Sequence, residues 1–258
     1  MESLNGKIVF ITGASSGIGR ATAIAFAQQG ARLLLCARRI ERLTELAREL
    51  ATLDADPDVF TFRLDVQDRV AVHETLVNLP PEWSAIDVLV NNAGLSRGFA
   101  KLQEDDPQNW EEMIDTNVKG LLYVTHEVVP GMLARGAGHV INMGSTAGHQ
   151  TYANGAVYCA TKAAEKAISE GLKIDLIGTP VRVTSVDPGM VETDFSLVRF
   201  RGDEQRAASV YRNITPLQPE DVADAIVWAA TRPPHVNIHT IVMTTIDQAN
   251  STVFNRRN

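Results

Sequence analysis

Short apolar runs alternate along the chain with longer stretches whose apolar residues recur every three or four positions. Residues 7–12 (KIVFIT) are apolar on both faces of an extended chain and predict a buried strand. Residues 18–29 follow with helical spacing and stop at Gly30, a natural residue just past a helix end. The same reading predicts strands over 32–37, 59–65, 86–91, 139–143, 181–186 and 240–245. It predicts helices over 41–53, 69–79, 108–135, 157–177 and 219–231, with the 108–135 helix bent at Pro130 and Gly131. Alternating strands and helices, with strands apolar throughout, mark a parallel sheet covered on both faces. No repeat, low-complexity tract or Pro/Gly/Ser linker interrupts the pattern, so 1–258 is expected to be a single α/β domain. The one long irregular stretch, 189–215, is expected to be a lid or binding segment.

Lys and Arg total 24 against 31 Asp and Glu, a formal charge of −7. An acidic balance argues against a nucleic-acid partner, because neutralising phosphates needs a basic face. No apolar run is long enough to span a membrane, and Met1-Glu2-Ser3 lacks the basic flank of a secretion signal. Cys36 and Cys159 are the only cysteines, so no disulfide framework is expected and a reducing, cytoplasmic setting is. The six scattered His, without CxxC or HExxH, predict no metal site.

Thr12-Gly13-Ala14-Ser15-Ser16-Gly17-Ile18-Gly19 falls between the first strand and the first helix. Gly13 permits a tight turn, Gly17 lets a pyrophosphate approach the backbone, and Gly19 lets the helix pack closely. The helix N-terminus then offers free amides and a positive dipole end to phosphates. This cluster favours an open, doubly wound Rossmann sheet of seven strands over the rival (β/α)8 barrel. Strand two ends Cys36-Ala37-Arg38-Arg39, with no acid to take the ribose 2′-hydroxyl of NAD. Arg38 and Arg39 suit a 2′-phosphate, so NADP(H) is expected; the plain alternative is two solvated surface charges. Asp65-Val66 ends strand three, where the carboxylate can receive an adenine amino group, and Asn91-Asn92-Ala93-Gly94 ends strand four. Both belong at the ligand edge of such a sheet, although Asn91 and Asn92 could equally serve a turn.

Tyr158 and Lys162 are four residues apart on a predicted helix and therefore share a face. A cation near a phenol lowers its pKa, which makes Tyr158 a candidate acid and base in carbonyl–alcohol interconversion. Ser145 ends strand five, thirteen residues earlier, where its hydroxyl could hold the reacting oxygen.

The ordered set TGASSGIG, LDV at 64–66, NNAG, Asn117 in DTNVKG, Ser145, YCATK and Pro188-Gly189 resembles the short-chain dehydrogenase/reductase family across nearly the whole chain. The resemblance implies that Ser145 holds the substrate oxygen, Tyr158 exchanges the proton, and Lys162 tunes Tyr158 and grips the nicotinamide ribose. It implies that Asn117 bends its helix and binds a relay water. It also adds Val191 and Thr193 to the cofactor site with Pro188 and Gly189, Thr193 holding the carboxamide, and it implies a homotetramer. The run from Val191 to Asp203 resembles the branch of NADP-dependent 3-hydroxy acid dehydrogenases, which act on serine, allo-threonine and 3-hydroxyisobutyrate. A small carboxylate substrate needs a cation. Arg199 and Arg201 are the chosen candidates, with Arg97, Arg206 and Arg212 also nearby in sequence, and the outer face of a lid or a subunit contact is their alternative. Reduction of a larger or uncharged ketone, and a non-catalytic NADP-binding sensor, are the competing functions. Cys159 is expected to be packing, because neighbouring helix positions diverge by about 100°.

Overall fold

The strands β1 (Ile8–Thr12), β2 (Arg32–Ala37), β3 (Val59–Arg63), β4 (Val88–Asn91), β5 (Gly138–Met143), β6 (Val181–Pro188) and β7 (Thr240–Met243) lie parallel in one sheet. The computed structural model describes residues 2–257. The strand order β3-β2-β1-β4-β5-β6-β7 is open, which rules out the barrel and puts the winding reversal between β1 and β4.

The helices are α1 (Gly17–Gln28), α2 (Ile40–Leu50), α3 (Arg69–Val77), α4 (Pro107–Ile114), α5 (Leu121–Arg135), α6 (Ala156–Asp175), α7 (Phe195–Arg199), α8 (Glu204–Val210) and α9 (Pro219–Ala230). On one face, Phe26 of α1, Leu43 and Leu46 of α2 and Ile226 of α9 pack on Val9, Ile11, Leu33 and Leu35. On the other, Val72 of α3 and Val128 and Met132 of α5 pack on Phe10, Leu34, Leu89 and Val140. Both sides of each central strand are thereby dry, which is why the strands read as unbroken apolar runs.

Local sequence sets several ends. Asp68 caps α3 by accepting the amides of Val70 and Ala71 at 3.0 Å. Gln218 and Asp221 form a reciprocal capping box on α9, with Pro219 at its first position. Gly136, at φ 65°, closes α5 in the left-handed region.

Three expectations change. The 108–135 helix is interrupted by a π-helical turn over Asp115–Gly120, while Pro130 and Gly131 sit inside α5 without ending it. The irregularity falls where Asn117 turns its side chain onto a neighbouring loop, a tertiary contact that helical spacing does not reveal. The 189–215 stretch contains α7 and α8, of five and seven residues, too short to register as periodicity. Strand three stops at Arg63, leaving Leu64, Asp65 and Val66 to turn across the sheet edge, and β6 extends to Pro188, paired with Met243.

Arg182 of β6 is buried, and its guanidinium donates to the carbonyls of Ala229 and Ala230 at the end of α9 and of Arg232 and Val236 just beyond it. Replacing it with Met strands those oxygens. Arg182→Met is expected to lower unfolding free energy by about 3 kcal/mol in urea titrations; an unchanged midpoint would contradict this account.

Candidate active site

Segments leaving the carboxyl ends of the first six strands enclose a cleft of about 380 Å³ at the winding reversal. Its floor is the glycine loop, braced from the neighbouring strand. Asn92 Nδ2 donates to the carbonyls of Thr12 (2.9 Å) and Gly13 (3.1 Å), and Thr12 Oγ1 accepts the amides of Asn92 and Ala93. Gly13 has φ +67°, and a Cβ there would lie 2.9 Å from Ala93 Cα. Gly13, Ser15, Ser16, Gly17 and Ile18 line the cleft. No side chain caps α1 and no acid lies in its first turn, which leaves its leading amides for an anion.

The rim beside the loop is cationic. Arg39 donates to the Ser15 hydroxyl (3.2 Å) and the Ser16 hydroxyl (3.0 Å). Arg38 stands 3.9 Å from Asp65, and Arg42 pairs with Asp194 at 2.8 Å. Burial, then the Arg42 charge, holds the Arg39 pKa below its ordinary value. Open helix amides beneath a crowded guanidinium rim fit a phosphorylated dinucleotide. Asp65, Val66, Asn92, Ala93 and Gly94 line the adjoining wall, and Pro188, Gly189, Val191 and Thr193 the wall opposite.

The far end brings together Ser145, Tyr158 and Lys162. Ser145 follows β5, and its hydroxyl accepts the Ala147 amide at 3.1 Å. Tyr158 and Lys162 both begin the buried face of α6. Tyr158 packs edge-on to Phe195, with ring centres 5.5 Å apart. Lys162 Nζ donates to the Met143 carbonyl at 2.5 Å.

A family model described as short chain dehydrogenase matches residues 7–203. The chain belongs to the short chain dehydrogenase family. It is 48% identical over 243 residues to the NADP-dependent 3-hydroxy acid dehydrogenase YdfG of Escherichia coli (strain K12), covering 94% of this chain and 96% of that protein. It is 47% identical, again over 243 residues, to sulfoacetaldehyde reductase 2 of Chromohalobacter salexigens, covering 94% and 95%. Among solved structures, the closed form of serine dehydrogenase complexed with NADP+ superposes with a TM-score of 0.90 at 47% identity, covering 97% of this chain and 100% of that one.

The electrostatics of this short chain dehydrogenase depart from the sequence expectation. Burial pushes the Tyr158 phenol above its ordinary pKa, and the Arg199 guanidinium and then the Ser145 hydroxyl pull against it. The cation that opposes burial is Arg199, whose guanidinium carbon lies 5.4 Å from the Tyr158 ring centre. Lys162 is itself held below its ordinary pKa by burial, with Glu165 and Asp187 opposing.

Several expected site residues lie off the cleft. Gly19 does not line it; a Cβ there would come 2.6 Å from the Gly13 oxygen, so this glycine serves helix packing. Asn91 is buried in the sheet, where Nδ2 donates to Thr125 and Asn142 at 2.9 Å, and it touches no part of the cleft. Asn117 is also off the cleft. Its amide clamps both backbone groups of Leu95 at 2.8 Å and donates to Thr161, joining the NNAG loop to α6. Arg199 lies behind Tyr158, donating to Ser96 and to the Tyr152 hydroxyl at 3.0 Å. Arg201 turns away to Asn109 (2.7 Å) and Glu112 (3.4 Å), held there by a backbone φ of +51°. Arg97 does line the cleft but is paired with Glu112. Cys159 is packing, as expected.

Sequence reasoning missed Asp194 and Phe195 as residues of the cleft wall, and Tyr152, which holds Arg199. It also missed Glu165 and Asp187, although a charged residue on the buried stripe of α6 and another ending an apolar strand were visible signals. Asn91→Ala is expected to cost about 1–3 kcal/mol in urea unfolding while leaving the NADPH dissociation constant within about twofold. Loss of cofactor affinity without loss of stability would return Asn91 to the binding site.

Proposed function

We propose that this dehydrogenase transfers a hydride between NADP(H) and the hydroxyl or carbonyl carbon of a small 3-hydroxy acid such as serine, allo-threonine or 3-hydroxyisobutyrate. The observation that carries the reading is the convergence of Ser145, Tyr158 and Lys162 at one end of a cleft whose other end is a cationic phosphate cradle. The names of the similar enzymes, NADP-dependent 3-hydroxy acid dehydrogenase and serine dehydrogenase, support it. When bound, NADP(H) supplies the hydride acceptor or donor.

The remaining chemistry belongs to the chain. Ser145 donates to the substrate oxygen, and Tyr158 gives that oxygen a proton in reduction and takes it in oxidation. Lys162 holds the ribose and lends positive charge to the phenol once its ammonium leaves the Met143 carbonyl. Asn117 keeps Leu95 and α6 in register and acts as a positioning residue. Arg38 and Arg39 receive the 2′-phosphate, and Asp65 the adenine. Arg199, with its guanidinium carbon 5.4 Å from the Tyr158 ring centre, is the charge that favours a substrate carboxylate from beside the cleft; Arg201 pairs with Asn109 and Glu112 and has no contact with Tyr158.

We further read 1–258 as one domain with 189–215 as its substrate lid, in a cytoplasmic homotetramer. Exposed apolar residues on α5 (Leu122, Leu133) and around β7 (Val242, Ile246) support two subunit contacts. No helix among the described residues is long and apolar enough to cross a membrane.

Tyr158→Phe is expected to bind NADPH normally and to lose about 10²–10⁴-fold in kcat; retained turnover would end the acid–base reading. Arg39→Asp is expected to reduce kcat/KM with NADPH by about tenfold or more and to spare NADH. A wild-type preference for NADH would contradict the cofactor assignment. Because burial raises the phenol pKa, oxidation rates should climb as pH increases toward the alkaline range. Arg199→Met removes a cation that favours phenolate, so the climb should move to higher pH. The same variant should lose more activity on L-serine than on uncharged ketones; equal losses, or a wild-type preference for uncharged ketones, would favour the ketone-reductase reading.

A further inference from the structure

Behind Lys162, away from the cleft, lies a sealed cluster of ionisable groups that the reaction as proposed does not use. Tyr158, Lys162, Glu165 and Ser169 succeed one another at four-, three- and four-residue intervals, so they form one buried stripe of α6 facing the sheet. Glu165 is 1% exposed. Its Oε1 accepts the Ser169 hydroxyl at 2.8 Å and the Ser185 hydroxyl at 3.3 Å, while its Oε2 is buried without any hydrogen-bond partner. Ser185 and Asp187 project from the same side of β6, and the Ser185 hydroxyl also bonds Asp187 Oδ1. Asp187, equally buried, receives the ring Nε2 of His149 on its other oxygen, and the His149 side chain is 30% exposed. Asp187 Oδ1 and Glu165 Oε2 both crowd the α-carbon of Gly144, where any Cβ would strike them.

The hydrogen inventory does not close with both carboxyls ionised. Ser185 has one hydroxyl hydrogen and stands between two carboxylate oxygens. Glu165 Oε2 would be a charged oxygen sealed from water with no donor, which is unfavourable next to a second carboxylate. Asp187 has a donor at each oxygen, so the missing hydrogen belongs on Glu165. We infer that Glu165 carries a proton of its own beside an ionised Asp187, and that these two carboxyls, joined to solvent by His149, are a positioning unit giving the buried Lys162 ammonium a single negative counter-charge. The inference rests on the reading of Tyr158 and Lys162 as the acid–base pair. Burial also pushes the Glu165 carboxyl above the usual carboxylate range, in the direction the hydrogen count requires. The groups facing Glu165 are Lys162 and Ser169 from its own helix, Ser185 and Asp187 from β6, and Gly144 in the segment after β5, with His149 reached through Asp187. A second full negative charge here would oppose ionisation of Tyr158, so one charge rather than two suits the phenol.

Two measurements on the full-length enzyme test this. Infrared spectra of the wild type at neutral pH should contain a protonated carboxyl band that is absent in Glu165→Gln; no difference between the two would overturn the protonation of Glu165. Such spectra require no turnover and stand even if a more disruptive variant fails to fold. The double variant Glu165→Gln/Asp187→Asn leaves Lys162 without its counter-charge. Its kcat for carbonyl reduction at neutral pH should fall by about tenfold or more and recover as pH is lowered and the amine regains its proton. A loss independent of pH, or a profile identical to the wild type, would overturn the positioning role. Tyr158→Phe separates the two levels: if it remains active, the acid–base reading fails while the infrared result still reports on the proton.

Discussion

An ammonium group held out of water at the carboxyl end of the sheet constrains everything around it. Lys162 is 8% exposed, and burial disfavours its charged form. Three kinds of compensation converge on it: the Met143 carbonyl at the end of β5, the carboxyl group of Glu165 one helical turn along α6, and that of Asp187 at the end of β6. Each partner comes from a different element, so the charge is stable only when β5, β6 and α6 are all in place. The close approach has steric consequences. Gly144 leaves room for the two carboxyls, and Gly148 lets its turn lie against α6, where a Cβ would meet the Lys162 carbonyl at 2.6 Å. Tyr158 inherits this environment and is hard to ionise for the same reason that Lys162 is hard to keep charged.

The opposite end of the cleft solves the converse problem. The protein is acidic overall, yet Arg38, Arg39 and Arg42 gather beside an uncapped helix start. These cations repel one another, and two of the surrounding carboxylates, Asp65 and Asp194, offset them only in part. An arriving phosphate relieves that repulsion while satisfying the open amides, so affinity and phosphate selectivity come from one arrangement. The Arg42–Asp194 pair also ties this rim to the segment carrying Phe195, which lies against Tyr158. Phosphate cradle and reacting phenol are therefore linked through one short stretch of chain.

Much of this was legible in the order of residues. Apolar runs bounded by glycine and polar turns located all seven strands, most plainly the central ones, which are buried on both faces. The glycine loop, the arginines after β2 and the Tyr158–Lys162 pair depend on local geometry, one turn or one helical repeat, and local spacing suffices to find them. The tertiary structure decided what spacing cannot carry. Asn91 and Asn92 are neighbours in sequence, yet the pleat turns one into the sheet and the other onto the glycine loop. Arg199 and Arg201 are two residues apart, yet one guanidinium bonds Ser96 and Tyr152 and the other Asn109 and Glu112. The charge balance at Tyr158 and Lys162 depends on side chains from β6, α6 and the lid, separated by tens of residues and joined only when the chain has folded. Electrostatic energy in a dry interior depends on distances between such groups, and those distances are set by the packing of elements rather than by the residues themselves.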